Sequence, residues 1–250
     1  MKSAQCDRVV GNLKNQIAVV TGASSGIGKA IALNLAKEGA KVCMVGRNIE
    51  RLKAVANSGK PFSEYISVYK TDLEVDDDIS LLSGSLQREF GAIDILTHCA
   101  GMISIGKIQE SPVEEFDRQF RVNVRAAFLL TQALLPGLKL RRGQIVFINS
   151  SVGLVAKASA AQYAATKHAL KGLADSLREE VNGDGVRVLS VYLGRTATPM
   201  QEAVHKMEGK EYHPERLIQP EDVAAVVINA LSLPRTAEVT DIYVRPLQKP

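Results

Sequence analysis

Seven short runs of apolar, largely β-branched residues alternate with stretches of helical periodicity: Ile17 to Thr21, Lys41 to Val45, Ile66 to Lys70, Ile93 to Thr97, Gln144 to Asn149, Val186 to Tyr192 and Val239 to Val244. Most of them are apolar without interruption instead of at every second position. That pattern belongs to parallel strands, because the crossover helices of a parallel sheet shield both of its faces from water. The chain therefore reads as α/β, a doubly wound open sheet with helices on both faces. No internal repeat, low-complexity tract or Pro/Ser-rich linker divides its 250 residues, and one domain of this length can bury a sizeable core. A single domain spanning 1–250 is expected.

Local punctuation agrees with this outline. Ser111, Pro112 and Glu114 read as an N-cap, a first-turn proline and a capping-box partner; Gly39 reads as the stop after a helix from Lys29 to Glu38; Pro220, Glu221 and Asp222 open a late helix. The stretch 194–217 differs. It carries Arg195, His205, Lys206, Tyr212 and His213 with little periodicity, and it is either a substrate-covering lid or a surface insertion with a short helix.

The net charge of +4 is spread along the chain, and its densest patch, Lys139, Arg141 and Arg142, falls where a helix should end and cations complement the dipole. No nucleic-acid partner is expected. Three cysteines, Cys6, Cys43 and Cys99, lack metal or redox spacing and fit reduced packing residues of a cytoplasmic protein. Met1 to Gly11 has no apolar leader core, and nothing approaches the roughly 18 apolar residues of a membrane span, so no membrane partner is expected.

Directly after the first apolar run comes Thr21-Gly22-Ala23-Ser24-Ser25-Gly26-Ile27-Gly28, and a helical pattern follows it. A strand that turns sharply into a helix while its backbone approaches a pyrophosphate needs glycine; side chains at Gly22, Gly26 or Gly28 would obstruct the turn, the ligand or the helix packing. The spacing G-x-x-x-G-x-G is not the common G-x-G-x-x-G, and the strand before it and the helix after it are what give it meaning. Where dinucleotide sites end their second strand with a carboxylate, this chain has Gly46 and then Arg47. A guanidinium binds a 2′-phosphate that a carboxylate would repel, which favours NADP over NAD. Asp72 and Leu73, after the third run, are placed to meet the adenine, although a plain helix cap also accounts for Asp72.

Ser150 closes the fifth run, Tyr163 comes 13 residues later and Lys167 four residues after that. Tyr163 and Lys167 at i and i+4 share a helix face and can point together at the carboxyl end of the sheet. An ammonium near a phenol favours the phenolate and lowers a pKa that is otherwise about 10. Tyr163 could then pass a proton to or from an alcohol oxygen that Ser150 also holds, while hydride comes from a nicotinamide. Asn123, polar among apolar neighbours, could hold a water leading from Lys167 to solvent or could cap a local kink.

Taken together, these residues resemble the short-chain dehydrogenase/reductase family over nearly the whole chain, from about Asn15 to Val244. The resemblance implies a single Rossmann domain with a seven-stranded parallel sheet, Thr21 to Gly28 as the cofactor loop, and Asn123, Ser150, Tyr163 and Lys167 as the catalytic tetrad. It also implies that Lys167 meets the nicotinamide ribose, that Thr198 meets the carboxamide, and that the protein is a homotetramer or homodimer built on long helices near Phe116 to Leu138 and Ala160 to Val181. Two positions depart from the pattern. The family's Asn-Asn-Ala-Gly is here His98-Cys99-Ala100-Gly101: the resemblance places His98, Ala100 and Gly101 beside the cofactor, with the small residues at the adenosine ribose retained but both amides lost, and Leu193 replaces a proline before Gly194.

The function so implied is NADP(H)-dependent, reversible reduction of a ketone or aldehyde, with Tyr163 as general acid/base. The alternative is a non-catalytic NADP-binding sensor or scaffold on the same fold. Arg195, Lys206 and His213 point towards an acidic substrate, whereas Met200 and Met207 point towards an apolar one.

Overall fold

The seven apolar runs form one all-parallel sheet in the order β3-β2-β1-β4-β5-β6-β7 in the computed structural model, which describes residues 13–63 and 65–248. The strands are β1 (Ile17–Thr21), β2 (Lys41–Gly46), β3 (Ile66–Lys70), β4 (Ile95–His98), β5 (Gln144–Ser150), β6 (Arg187–Leu193) and β7 (Asp241–Val244). Two begin two residues later than their apolar runs: Ile93 and Val239 precede the paired segments. The readings of Met1 to Gly11 and Cys6 lie outside the described residues.

Among the described residues, eight helices cover the sheet: α1 (Gly26–Lys37), α2 (Ile49–Gly59), α3 (Asp76–Phe90), α4 (Val113–Phe120), α5 (Ala126–Arg141), α6 (Ala161–Val181), α7 (Pro199–Met207) and α8 (Pro220–Leu231). Alternate residues of each strand supply the two cores. Ala18 and Val20 of β1 join Ile31 and Leu35 of α1 and Val223 and Val227 of α8 on one face. Ile17 and Val19 join Leu82 of α3, Leu130 of α5 and Leu170 of α6 on the other. Burial on both faces is the physical reason for the uninterrupted apolar runs.

Gly39, at φ +81°, follows α1, and α8 opens with a capping box between Gln219 and Asp222. Ser111 does not cap α4. Its hydroxyl donates to the Lys107 carbonyl and so belongs to the preceding tight turn, which leaves Pro112 at the helix entrance. The long helix expected near Phe116 to Leu138 is instead α4 and α5 joined by a wide π-helical turn at Arg121–Arg125. A turn of this kind inserts one extra residue into the helical ladder and is common beside functional sites.

The chain runs outward from β1 to β3, then returns to lay β4 on the other side of β1. The connections leaving β1 and β4 therefore diverge and open a crevice above the carboxyl ends of the strands. Among the described residues, no helix is long and apolar enough to cross a membrane.

Candidate active site

The crevice holds a cleft of about 930 Å³ that runs from Arg47 at the end of β2 past the turn after β1 to Ser150, Tyr163 and α7. Backbone crowding fixes the glycines of that turn. Gly22 has φ +68°, and a Cβ there would lie 2.8 Å from the Ala100 backbone. A Cβ on Gly28 would lie 2.3 Å from the Gly22 carbonyl, and one on Gly26 would meet Thr198 at 2.9 Å. Ser25 makes no side-chain cap to α1, and the helix has no acidic residue in its first turn. Its leading N–H groups and positive dipole end thus face the cleft without a competing anion, as an anion site requires.

Gly46, Arg47, Asp72 and Leu73 line one end. Arg47 is exposed and lies 3.3 Å from Glu74, which Arg118 of α4 also holds. The Arg118 hydrogen bonds hold the Glu74 carboxyl below the usual range despite its partial burial. The Asp72 carboxylate accepts from the Glu74 N–H and so caps its own turn. Arg51, in the first turn of α2, also faces the cleft; no spacing rule singles it out, because Arg47 lies before the helix. Glu74 and Arg118 lie far apart in sequence, and no spacing rule links them.

At the other end Ser150 finishes β5, and Tyr163 and Lys167 descend from α6 into the same cleft. Lys167 is buried, donates to the Ile148 carbonyl at 3.0 Å, and has its ammonium 5.7 Å from the centre of the Tyr163 ring. The expectation that Lys167 lowers the phenol is not met here. Burial pushes Tyr163 up to about 12, against the opposing pull of the Ser150 hydroxyl hydrogen-bonded to it. Burial likewise brings Lys167 down to about 8. Gly153 seats this corner, since a Cβ would lie 2.7 Å from Asn149 Oδ1 and 2.9 Å from the Lys167 carbonyl.

Asn123 is buried in the wide turn, with its amide fully engaged. It accepts from the Met102 N–H at 2.8 Å and donates to the Met102 carbonyl and Thr166 Oγ1. It therefore clamps the segment after β4 to α6 instead of turning its side chain to Lys167.

His98 departs from its expected place beside the cofactor. It points away from the cleft, stacks on Phe147 with ring centres 4.9 Å apart, and shares a 2.8 Å hydrogen bond with Thr131. Strand alternation sends the next residue, Cys99, into the cleft with Ala100 and Gly101. Thr21 Oγ1 accepts from the N–H groups of Cys99 and Ala100, a strand-to-strand tie made without either missing amide.

Beyond β6, Thr196 pairs with Ile218 and closes the base of the 194–217 stretch. Inside it, Thr198 caps α7 by accepting from the Gln201 N–H, and Met200 and Val204 face the cleft. Two of the basic side chains expected to attract an acid already have carboxylates beside them. Arg195 grips Glu208 through two contacts of 2.6 and 2.8 Å, and His213 lies 3.3 Å from both Glu211 and Glu215.

A parallel sheet with a glycine turn on one side of its crevice and a serine, tyrosine and lysine on the other defines a nucleotide-binding oxidoreductase scaffold. The short chain dehydrogenase family model matches residues 16–209. An uncharacterized oxidoreductase of Staphylococcus aureus (strain USA300) is 36% identical over 236 residues, covering 94% of this chain and 99% of the relative. Among solved structures, an alcohol dehydrogenase of the archaeon Thermococcus sibiricus complexed with 5-hydroxy-NADP superposes with TM-score 0.85 at 27% identity, covering 95% of this chain and 99% of the other. L-sorbose reductase from Gluconobacter frateurii, complexed with NADPH and L-sorbose, gives 0.86 at 28% identity, covering 93% and 96%. The chain belongs to the short chain dehydrogenase family, and its seven-stranded sheet is that family's Rossmann fold.

Proposed function

We propose that this protein is a cytoplasmic NADP(H)-dependent reductase that converts a ketone or aldehyde reversibly to an alcohol. It would act through one catalytic domain, with 194–217 as its lid. The observation that carries the reading is the convergence of Ser150, Tyr163 and Lys167 on the cleft that the glycine turn also opens.

Gly22, Gly26 and Gly28 leave the backbone cradle that a pyrophosphate needs, with Ser24, Ser25 and Ile27 beside it. Ala100 and Gly101 form a small-residue wall for the ribose, and Thr198 stands across from Gly26. Arg47 supports the choice of NADP: Glu74 keeps its bonds from Arg118 when Arg47 turns to a 2′-phosphate. Two of the solved relatives carry NADP-type nucleotides.

When bound, NADPH supplies the hydride. Tyr163, whose burial keeps the phenol protonated at neutral pH, gives its proton to the alkoxide oxygen formed from the carbonyl. The Ser150 hydroxyl donates a second hydrogen bond to that oxygen, and the Lys167 ammonium lies 5.7 Å from the centre of the ring that carries the phenolate left behind. Alcohol oxidation reverses these transfers and gains from rising pH, because it begins with the phenolate.

Two substitutions test the reading together, with NADPH binding followed by fluorescence and turnover by absorbance. Tyr163→Phe should retain NADPH binding and lose nearly all reduction across a ketone, sugar and steroid panel; substantial residual turnover would remove Tyr163 from its role. Arg47→Ala should weaken NADPH roughly tenfold or more while leaving NADH nearly unchanged, as expected for loss of a charge-assisted phosphate contact. Equal losses for the two nucleotides would refute the phosphate assignment.

A further inference from the structure

The cleft wall beyond Ser150 and Tyr163 combines apolar side chains with polar ones. Ile103 and Ile105 come from the segment after β4, Val152 from the turn after β5, and Met200 and Val204 from α7. The Gly106 N–H donates to the Ser159 carbonyl at 2.8 Å, which sets the Ile103–Ile105 segment beside the approach to Tyr163. Behind this wall, Gln119 accepts from the Ser104 N–H and donates to Gln162, which fixes the backbone between Ile103 and Ile105. Gln201, which does line the cleft, has its amide 3.2 Å from His205.

On this side of the cleft Arg195 is tied to α7: its Nη2 meets both Glu208 carboxylate oxygens, and His205 lies 3.3 Å from its Nη1. Glu208 also meets Lys210 at 3.0 Å, and these hydrogen bonds outweigh its partial burial to hold the carboxyl below its ordinary range. An acidic substrate would therefore meet a guanidinium whose Nη2 is already held, with an ionised carboxylate beside it. Lys157 and Arg245 also border the cleft but stand exposed, where solvent and salt screen them.

We infer that the substrate is an uncharged, largely apolar carbonyl compound, and that Glu208 sets this preference by masking Arg195 against acids. The inference rests on the reductase reading for its reaction but concerns the wall alone, so its test includes a measurement that needs no turnover. Benzylacetone and the α-keto acid in which a carboxylate replaces its methyl group share one skeleton, and because the carboxylate also changes the reactivity of the carbonyl, their ratio is compared between wild type and variant. Hydrocinnamide and hydrocinnamate are the matching unreactive pair, and their binding to the NADPH complex is followed by nucleotide fluorescence.

The wild-type protein should reduce benzylacetone with kcat/KM about tenfold or more above the keto acid, and should bind hydrocinnamide more tightly than hydrocinnamate, as a like-charge penalty at the wall requires. Glu208→Gln, which retains the shape but uncovers Arg195, should raise hydrocinnamate affinity and the relative kcat/KM for the keto acid by about tenfold, with NADPH affinity unchanged. Preference for either acid by the wild-type protein, or unaltered discrimination in Glu208→Gln, overturns the inference. Should neither carbonyl turn over while hydrocinnamide still binds ahead of hydrocinnamate, the reductase reading falls and the apolar-wall reading stands.

Discussion

At the scale of single residues, His98 carries the clearest consequence. Burial against Phe147 and Thr131 drives its pKa down from 6.5 to about 3. The folded chain therefore holds the ring neutral where the unfolded chain already protonates it. Stability tied to this ring is present above pH 6.5 and is lost as pH falls towards 3, at about 1.4 kcal/mol per pH unit. Urea titrations at pH 7 and pH 5 should show a loss of about 2 kcal/mol from this residue. His98→Asn, which restores the amide found elsewhere in the family, should reduce the slope of stability against pH by one proton. An unchanged slope would mean that the ring is solvated or already charged. In sequence His98 looked like a neighbour of the cofactor because it stands beside Ala100 and Gly101, but strand alternation assigns that place to Cys99.

At the scale of elements, continuous apolar runs identified the strands because both faces of this sheet are covered, and Gly39 and Gln219 with Asp222 marked helix ends through groups local to the chain. Contacts distant in sequence were not legible. Ser111 has the composition of a cap, yet its hydroxyl serves Lys107, and the wide turn at Arg121–Arg125 leaves no mark on the helical periodicity around it. That turn directs Asn123 at Met102 and Thr166, and the Thr166 hydroxyl donates in turn to the Tyr163 carbonyl. Asn123→Ala should cost about 2–3 kcal/mol, because it leaves buried partners unpaired. It should also lower kcat more than it raises the Kd for NADPH, since the disturbed groups adjoin Tyr163 and not Arg47. A larger effect on nucleotide binding than on turnover would place the role of Asn123 at the other end of the cleft.

At the scale of the molecule, strand order alone positions the crevice, and the sequence disclosed its two ends as the glycine turn and the Ser150, Tyr163 and Lys167 set. The homo-oligomer that the family resemblance implies would draw on the outer surface of the long helices. Phe120 and Phe128 are 40% and 47% exposed on adjoining helical segments, a cost that a second copy would remove by covering them. Phe128→Glu should leave the far-ultraviolet circular dichroism intact and shift sedimentation towards the monomer; an unaltered sedimentation coefficient would put the contact elsewhere. The pairing of Thr196 with Ile218 has a consequence of another kind. It fixes the two ends of the intervening span to each other between β6 and α8, so changes within the span should leave the strand registers in place. A graft between those two positions from another short chain dehydrogenase should transplant what the enzyme accepts while leaving its nucleotide choice behind.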